Sequence, residues 1–327
     1  MNSNMDKPYV VGIDIGGTNT VFGIVDARGN IIGSGKVKSQ ICKTPDTYVD
    51  LVCKHLVPLI EAHGGIEKIK GIGIGAPNGN YYTGTIDFAP NLPWEGVVPL
   101  AAMFEERLNI PTALTNDANA AAVGEMTYGA ARGMKDFIMI TLGTGVGSGV
   151  VVNGQIVYGH DGFAGELGHV IVRREEGRLC GCGRKGCLEA YCSATGVART
   201  AREVLAGSTK ASLLREIPSE EITSKDVYDA AVKGDELAKE IFEFTGKLLG
   251  EAFADFVCFS SPEAIILFGG LAKSGDYIMK PIKESMESNI LENYAGKTKI
   301  LVSELKDSDA AVLGASALGW ELKELTA

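Results

Sequence analysis

The sequence predicts an α/β fold built from two related halves with a cleft between them. Two observations carry that expectation. The run Tyr9–Val37 reads strand, glycine-rich hairpin, strand, turn, strand, and Phe137–Tyr158 repeats the plan in the same order. Elsewhere, apolar β-runs alternate with amphipathic helical stretches, the pattern of sheets covered by helices. Composition agrees, because 42 glycines in 327 residues and 7% aromatics suit many tight strand turns. A chain of this length that is 45% hydrophobic can fill two cores.

The elements follow in order. Tyr9–Ile15 (YVVGIDI) is an apolar strand with an acid, Asp14, near its end. Gly16, Gly17, Thr18 and Asn19 turn the chain into a strand over Val21–Val25, and a third runs through Ile31, Ile32 and Ser34. Such a turn can press backbone N–H groups against a phosphate, since glycine has no side chain in the way. No GKS or GKT follows and no G-x-G-x-x-G is present, so it is neither a P-loop nor a dinucleotide fingerprint. Taken alone, it also reads as a plain glycine turn.

Thr44 caps a helix opened by Pro45, with Tyr48, Leu51, Val52, His55, Leu56 and Leu59 on its apolar side. Ile69–Gly75 is a buried strand leading into Ala76-Pro77-Asn78-Gly79. Ligands gather at such carboxyl ends in α/β sheets. Asn91-Leu92-Pro93-Trp94 precedes a helix that ends near Asn109. Pro111–Leu114 is a short strand, after which Asn116 and Asp117 open a helix. Asp117 reads as a capping acid or as a general base. A helix N-terminus favours its ionised form, ready to accept a proton.

Phe137–Leu142 is the first strand of the second half, and Gly143 to Gly149, with Thr144 and Gly145, forms its glycine turn. Val150–Val152 returns, Asn153-Gly154 turns sharply, and Gln155–Tyr158 is the third strand. Helices then cover Thr195–Leu205, a segment capped by Ser224, and Asp235–Phe259, with Leu237, Ile241, Phe244, Leu248, Leu249, Phe253 and Phe256 read as core. The strand Ala264–Phe268 ends in Gly269-Gly270, which permits close approach to a ligand. A helix with Pro281 inside, a strand at Lys299–Ser303 and a small-residue-rich helix over Asp309–Leu325 complete the chain.

Cys180, Cys182 and Cys187 in C-x-C-x4-C spacing, with His169 upstream, make a closed Cys3His set that suits a tetrahedral structural zinc. Gly181, Gly183 and Gly186 allow a tight fold around a small ion. The loop is rich in Arg, Lys and Gly and would bury little, so a packing role is the weaker reading. Two carboxylates, Glu166 and Glu189, bracket the cluster. Cys42, Cys53, Cys192 and Cys258 are scattered, which points to a reducing, cytoplasmic setting without disulfides. Net charge of −10 and pI near 5.1 argue against nucleic acid and anionic membrane as partners. There is neither an eighteen-residue apolar run nor a signal-peptide core at the N-terminus.

Gly165–His169 (G-E-x-G-H) followed by Cys180–Glu189 (C-x-C-G-x-x-G-C-x-E) resembles the signature of the ROK family (repressor, open reading frame, kinase), which includes bacterial glucokinases and related sugar kinases. D-x-G-G-T from Asp14 resembles the first phosphate motif of the sugar-kinase, actin and heat-shock chaperone superfamily. N-D-x-N-A-A from Asn116 matches the family's catalytic segment. The resemblance spans nearly the whole chain and implies a duplicated ribonuclease-H-like (actin/sugar-kinase) fold. Residues 1–120 with a C-terminal helix at 308–327 would form the smaller domain, and 121–307 the larger, carrying a zinc-binding loop at 169–187.

The implied reaction is ATP-dependent phosphorylation of a hexose at its 6-hydroxyl. Glucose comes first; N-acetylmannosamine, N-acetylglucosamine, fructose and allose are alternatives. The resemblance implies Asp117 as base, with sugar contacts from Asn78, Asn91, Asn116, Asp117, Glu166, His169 and Glu189. It places ATP by Gly16, Gly17, Thr18, Asn19, Gly143, Thr144, Gly145, Gly269 and Gly270, with Mg2+ held by Asp14 through water. His169 would bind zinc and sugar through different ring nitrogens. A homodimer is implied as well. The family has Gly where Asn78 stands, which puts the local sugar contacts in question.

Other classes fit less well. A glycosidase pair of carboxylates leaves two phosphate-type hairpins without a role. A sugar-sensing repressor carries an N-terminal DNA-binding domain, whereas the first core strand here begins by residue 9. An actin-like ATPase has no use for the cysteine cluster.

Overall fold

The computed structural model describes residues 7–322. The chain forms two compact units: Met1–Gly133, Ile156–Gly165 and Glu304–Ala327 make one, and Met134–Gln155 with Glu166–Ser303 the other. The first contains β1 (Tyr9–Ile15), β2 (Asn19–Asp26), β3 (Ile31–Lys38), α1 (Pro45–Ala62), β4 (Ile69–Gly75), β5 (Gly79–Asn80), β6 (Thr85–Asp87), β7 (Val97–Val98), α2 (Leu100–Leu108), β8 (Thr112–Thr115) and α3 (Asp117–Tyr128). Its main sheet has the order β3-β2-β1-β4-β8. The β1–β2 and β2–β3 pairs are antiparallel, while β1–β4 and β4–β8 are parallel.

The second unit contains β9 (Phe137–Leu142), β10 (Val146–Val152), β11 (Gln155–Ile156), α4 (Glu189–Cys192), α5 (Ala194–Gly207), α6 (Ser224–Val232), α7 (Glu236–Ser260), β12 (Ala264–Phe268), α8 (Asp276–Asn289) and β13 (Lys299–Val302). Its sheet order, β11-β10-β9-β12-β13, repeats that of the first. β9 again pairs antiparallel with the next strand and parallel with β12, which is parallel to β13. This duplicated sheet is the ribonuclease-H-like architecture of actin and the sugar kinases. The last helix, α9 (Asp307–Glu321), returns to the first unit.

Several expectations shift. The first unit runs on to Gly133 and regains Ile156–Gly165, rather than dividing near residue 120, because α3 packs along α9. The second glycine turn is shorter than expected: Val146 to Gly149 already lie in β10, paired with Leu142 to Met139. β11 stops at Ile156, and Tyr158 instead stacks on Tyr81 with ring centroids 4.2 Å apart. Thr223 caps α6 in place of Ser224, exchanging bonds with Asp226 in a capping box. On α1, Val49 and Ile60 are buried while His55 is exposed. On α7, Phe242 fills the core and Phe244 lies at the edge, against Tyr191. The expected end of the last helix at Leu325 lies outside the described residues.

Why α9 is rich in small residues is visible in its packing. It lies directly on β1 and β4, backbone against backbone. A Cβ on Gly12 would come 2.8 Å from Ser316 N, and one on Gly71 2.9 Å from Gly319 O. On the other flank, a Cβ on Gly124 of α3 would sit 2.7 Å from Gly314 Cα. Real Cβ atoms do not approach so closely, so glycine is required at this seam. A methyl on Gly73 would overlap the Ala315 carbonyl oxygen. Gly73→Ala should therefore cost about 1–3 kcal/mol or more by overpacking. Gly207→Ala, with open space around the new methyl, should stay within about 0.5 kcal/mol. Thermal melts of the two variants beside the parent check this.

Candidate active site

The parallel register of the first sheet places its candidate residues. Asp14 pairs with Gly75, and Gly75 with Thr115, so β1, β4 and β8 end level. The segments that follow them are Gly16 to Asn19, Ala76 to Asn78, and Asn116-Asp117. Gly75 lies between the two acids: a Cβ there would be 3.5 Å from Asp14 Oδ1 and 3.7 Å from Asp117 Cα. Glycine at this strand end keeps the space between the carboxylates clear.

Burial pushes the Asp14 carboxyl up to about 7, with the Asp117 charge adding to the rise. Asp117 is also raised by crowding, against the hydrogen bond that Ala118 N donates to its Oδ1 at 2.8 Å. The helix N-terminus favours the ionised form expected of Asp117, and desolvation by burial works against it. By accessible area Asp117 is exposed, and solvent moderates the effect. Asn116, not Asp117, is the helix cap, accepting from Asn119 N at 2.7 Å.

Asn91 is exposed and lies just before the buried anchors Leu92 and Trp94. It packs on the first glycine turn, because a Cβ on Gly17 would meet Asn91 O at 2.9 Å. That turn is closed by Gly16 N donating to Asn19 O at 2.9 Å. Asn78 Nδ2 donates to the carbonyls of Asp87 and Phe88 at 3.0 and 3.2 Å, which ties down the segment before Asn91.

In the second unit, Gly143 N donates to Gly145 O at 3.1 Å to close the turn after β9. No heavy atom would meet a Cβ on Gly143, so its backbone is open to approach. Gly269 has φ +104, and a Cβ on it would meet Leu142 O at 2.5 Å, so the glycine pair after β12 lies beside the end of β9. Two contacts that sequence reasoning missed hold this turn: Ala194 N donates to Gly143 O, and Thr195 Oγ1 to Thr144 O, both at 2.8 Å. The helix-capping Ser193-x-Thr195 pattern was their signal.

The cysteine loop comes together as its spacing suggested. The ligand atoms of His169, Cys180, Cys182 and Cys187 all lie within 4.8 Å of one another. Cys182 Sγ to Cys187 Sγ is 3.7 Å, and Cys180 Sγ to His169 Nδ1 is also 3.7 Å. Tetrahedral zinc with bonds near 2.3 Å to sulfur sets ligand separations of about 3.5–3.8 Å, so the donor set fits such an ion. Gly183 and Gly186 have φ of +83 and +82, whereas Gly181 shows no such need. Burial pushes the Cys180 thiol up to about 12.

Glu189 sits at the junction of loop and turn. Its Oε2 accepts from Val146 N at 2.9 Å, and its Oε1 lies 3.4 Å from Cys180 Sγ. Glu166 is exposed, and its carbonyl accepts from His169 N at 3.1 Å.

Comparison with known proteins gives this arrangement a family. The ROK family model matches residues 10–321. The chain belongs to the ROK family. It is 36% identical to a glucokinase of Halalkalibacterium halodurans over 98% of this chain and 96% of that one. It is 35% identical to a glucokinase of Thermotoga maritima over 96% and 98%. Among solved structures, a ROK family glucokinase from Streptomyces griseus in complex with glucose and AMPPNP aligns with TM-score 0.77 and 33% identity, covering 95% of this chain and 98% of that one.

Within the ROK frame, the departure at Asn78 has a physical reason. The residue has φ +51, the left-handed region that glycine enters freely and asparagine tolerates best among the others. The substitution keeps the turn and adds the amide that grips Asp87 and Phe88.

The Asp14 shift has a consequence for the ligand-free ROK chain. An acid whose pKa rises on folding binds more protons folded than unfolded, so stability falls as pH rises from about 4 to about 7 and levels off above. Asp14→Asn should remove that slope. Its melting temperature should exceed the parent's at pH 8, and the difference should vanish near pH 4, in melts without nucleotide or Mg2+.

Proposed function

We propose that this chain is an ATP-dependent glucokinase that transfers a phosphoryl group to the 6-hydroxyl of glucose. The observation that supports it best is the convergence of Asp14 and Asp117 at level strand ends beside a glycine turn, in a ROK chain 36% identical to a glucokinase along nearly its full length.

Asp117 is the general base and takes the hydroxyl proton as the oxygen attacks. Its raised carboxyl brings it nearer the working pH, where a base combines adequate ionisation with adequate proton affinity. Backbone N–H groups of Gly16 to Asn19 and of Gly143 to Gly145 hold phosphates, and Gly269-Gly270 lies along the nucleoside. Asp14 would hold Mg2+ through water, and the ion when bound would offset phosphate charge. Asn78, Asn91, Asn116, Glu166, His169 and Glu189 hold the sugar hydroxyls; Asn78 and Asn116 have part of each amide already engaged locally.

Zinc at His169, Cys180, Cys182 and Cys187 would be structural, because the closed set would leave no open position for a reacting water. It would fix the loop that carries Glu189 and hold His169 by Nδ1. We further propose a cytoplasmic homodimer. Among the described residues, no helix is long and apolar enough to cross a membrane.

ADP release from ATP and Mg2+ across hexoses and N-acetylhexosamines tests the reading. Turnover with glucose supports it, turnover with another sugar alone changes the substrate, and no sugar-dependent turnover sinks it. Asp117→Asn should lower kcat about 10²–10⁴-fold while glucose binding by calorimetry stays within a few-fold. Cys182→Ser should abolish stoichiometric zinc in metal analysis; undiminished zinc would remove Cys182 as a ligand.

A further inference from the structure

Three hydroxyl groups are buried beneath the first glycine turn. Thr20 Oγ1 lies 2.9 Å from Ser39 Oγ and 2.8 Å from Tyr48 Oη, and all three residues are 0% exposed. Buried hydroxyls are costly unless paired, and here they pair with one another. Thr20 stands two residues beyond Thr18, and Ser39 N donates to Thr18 O at 3.0 Å. The exit of the turn is therefore gripped by the end of β3 and, through Thr20, by α1. Burial pushes the Tyr48 hydroxyl up, so it stays protonated and able to donate.

The other end of this contact chain reaches Asn91. The Tyr48 ring lies 4.7 Å from the Trp94 ring, centroid to centroid, and Trp94 Nε1 donates to Cys42 O at 3.0 Å. Trp94 is 6% exposed and anchors the segment in which Asn91 is exposed. Asn91 in turn lies against Gly17. These contacts, with the short run of chain from Asn91 to Trp94, close a ring through Thr18, Ser39, Thr20, Tyr48, Trp94, Asn91 and Gly17, all within one compact unit.

We propose that Tyr48 is a positioning residue that couples the Gly16–Asn19 turn to the Asn91–Trp94 segment, so that nucleotide and hexose each tighten the other's site. The inference rests on the phosphate role proposed for the turn and the sugar role proposed for Asn91. Ordering the turn restrains Thr20, which restrains Tyr48 and the packing under Asn91; linkage makes the effect reciprocal. The hydroxyl is the decisive atom. Phenylalanine at 48 keeps a ring against Trp94 but releases Thr20 and Ser39 to each other, and the turn loses its tie to α1.

The test is glucose calorimetry on the full-length protein, with and without a non-hydrolysable ATP analogue and Mg2+. The analogue should tighten glucose binding about fivefold or more in the parent protein, within the usual range of such coupling. In Tyr48→Phe the ratio should fall close to one, while glucose affinity without nucleotide stays within about twofold. Thr20→Val should do the same, and the double variant should lose nothing further, as expected of residues acting through one bond. A Tyr48→Phe protein with a lowered melting temperature and an unchanged ratio overturns the inference, because Tyr48 is then only a core residue. A parent ratio of one overturns it as well. Normal glucose turnover beside either result leaves the proposed function standing. A parent protein that neither binds nor phosphorylates glucose strikes both.

Discussion

Three parallel strands ending level is the constraint on which the first unit depends. Asp14, Gly75 and Thr115 stand side by side, so the chain leaving each strand starts from the same edge of the sheet. A slip of one residue in β4 would turn its side chains to the opposite face and put a Cβ between the two acids. The register is guarded from behind by α9, whose backbone seats on Gly12 and Gly73 without room for a methyl. The geometry at the strand ends is thus secured by contacts well away from them.

The second unit repeats the sheet order, with glycine turns after β9 and β12 and the cysteine loop beside the first of them. Glu189 joins the two, because one carboxylate oxygen fixes the start of β10 while the other faces Cys180. The shape of the turn and the state of the loop are coupled through a single side chain. A carboxylate already holding a backbone N–H is also rotationally restrained.

Much of this was legible in the sequence because the signals are local. β-runs such as YVVGIDI and FIMITL, the glycines after them and the C-x-C-x4-C spacing each name their own structure within a few residues. The reading faltered where the deciding contact is distant. Val146 to Gly149 look like turn residues until Leu142 to Met139 pair with them. The helix after Asn116 gives no local sign that α9, some 190 residues later, claims it for the first unit. At Asp117 the helix N-terminus favours ionisation, whereas desolvation by burial, which no local pattern announces, pushes the other way. Asn78 looked like a flaw in the motif until its φ showed that the turn was preserved.

The seat of α9 also sets an order of events during synthesis. β1 leaves the ribosome long before the helix that covers its glycine face. Until residues 307–321 emerge, Val10 and Val25 lack the cover of Val312 and Leu313 in their common cluster. Contacts of such large sequence separation close slowly, since loop entropy must be overcome before they stabilise anything. The nascent first unit therefore carries an open apolar sheet face until α9 emerges, a stage at which every residue of the second unit has already been made.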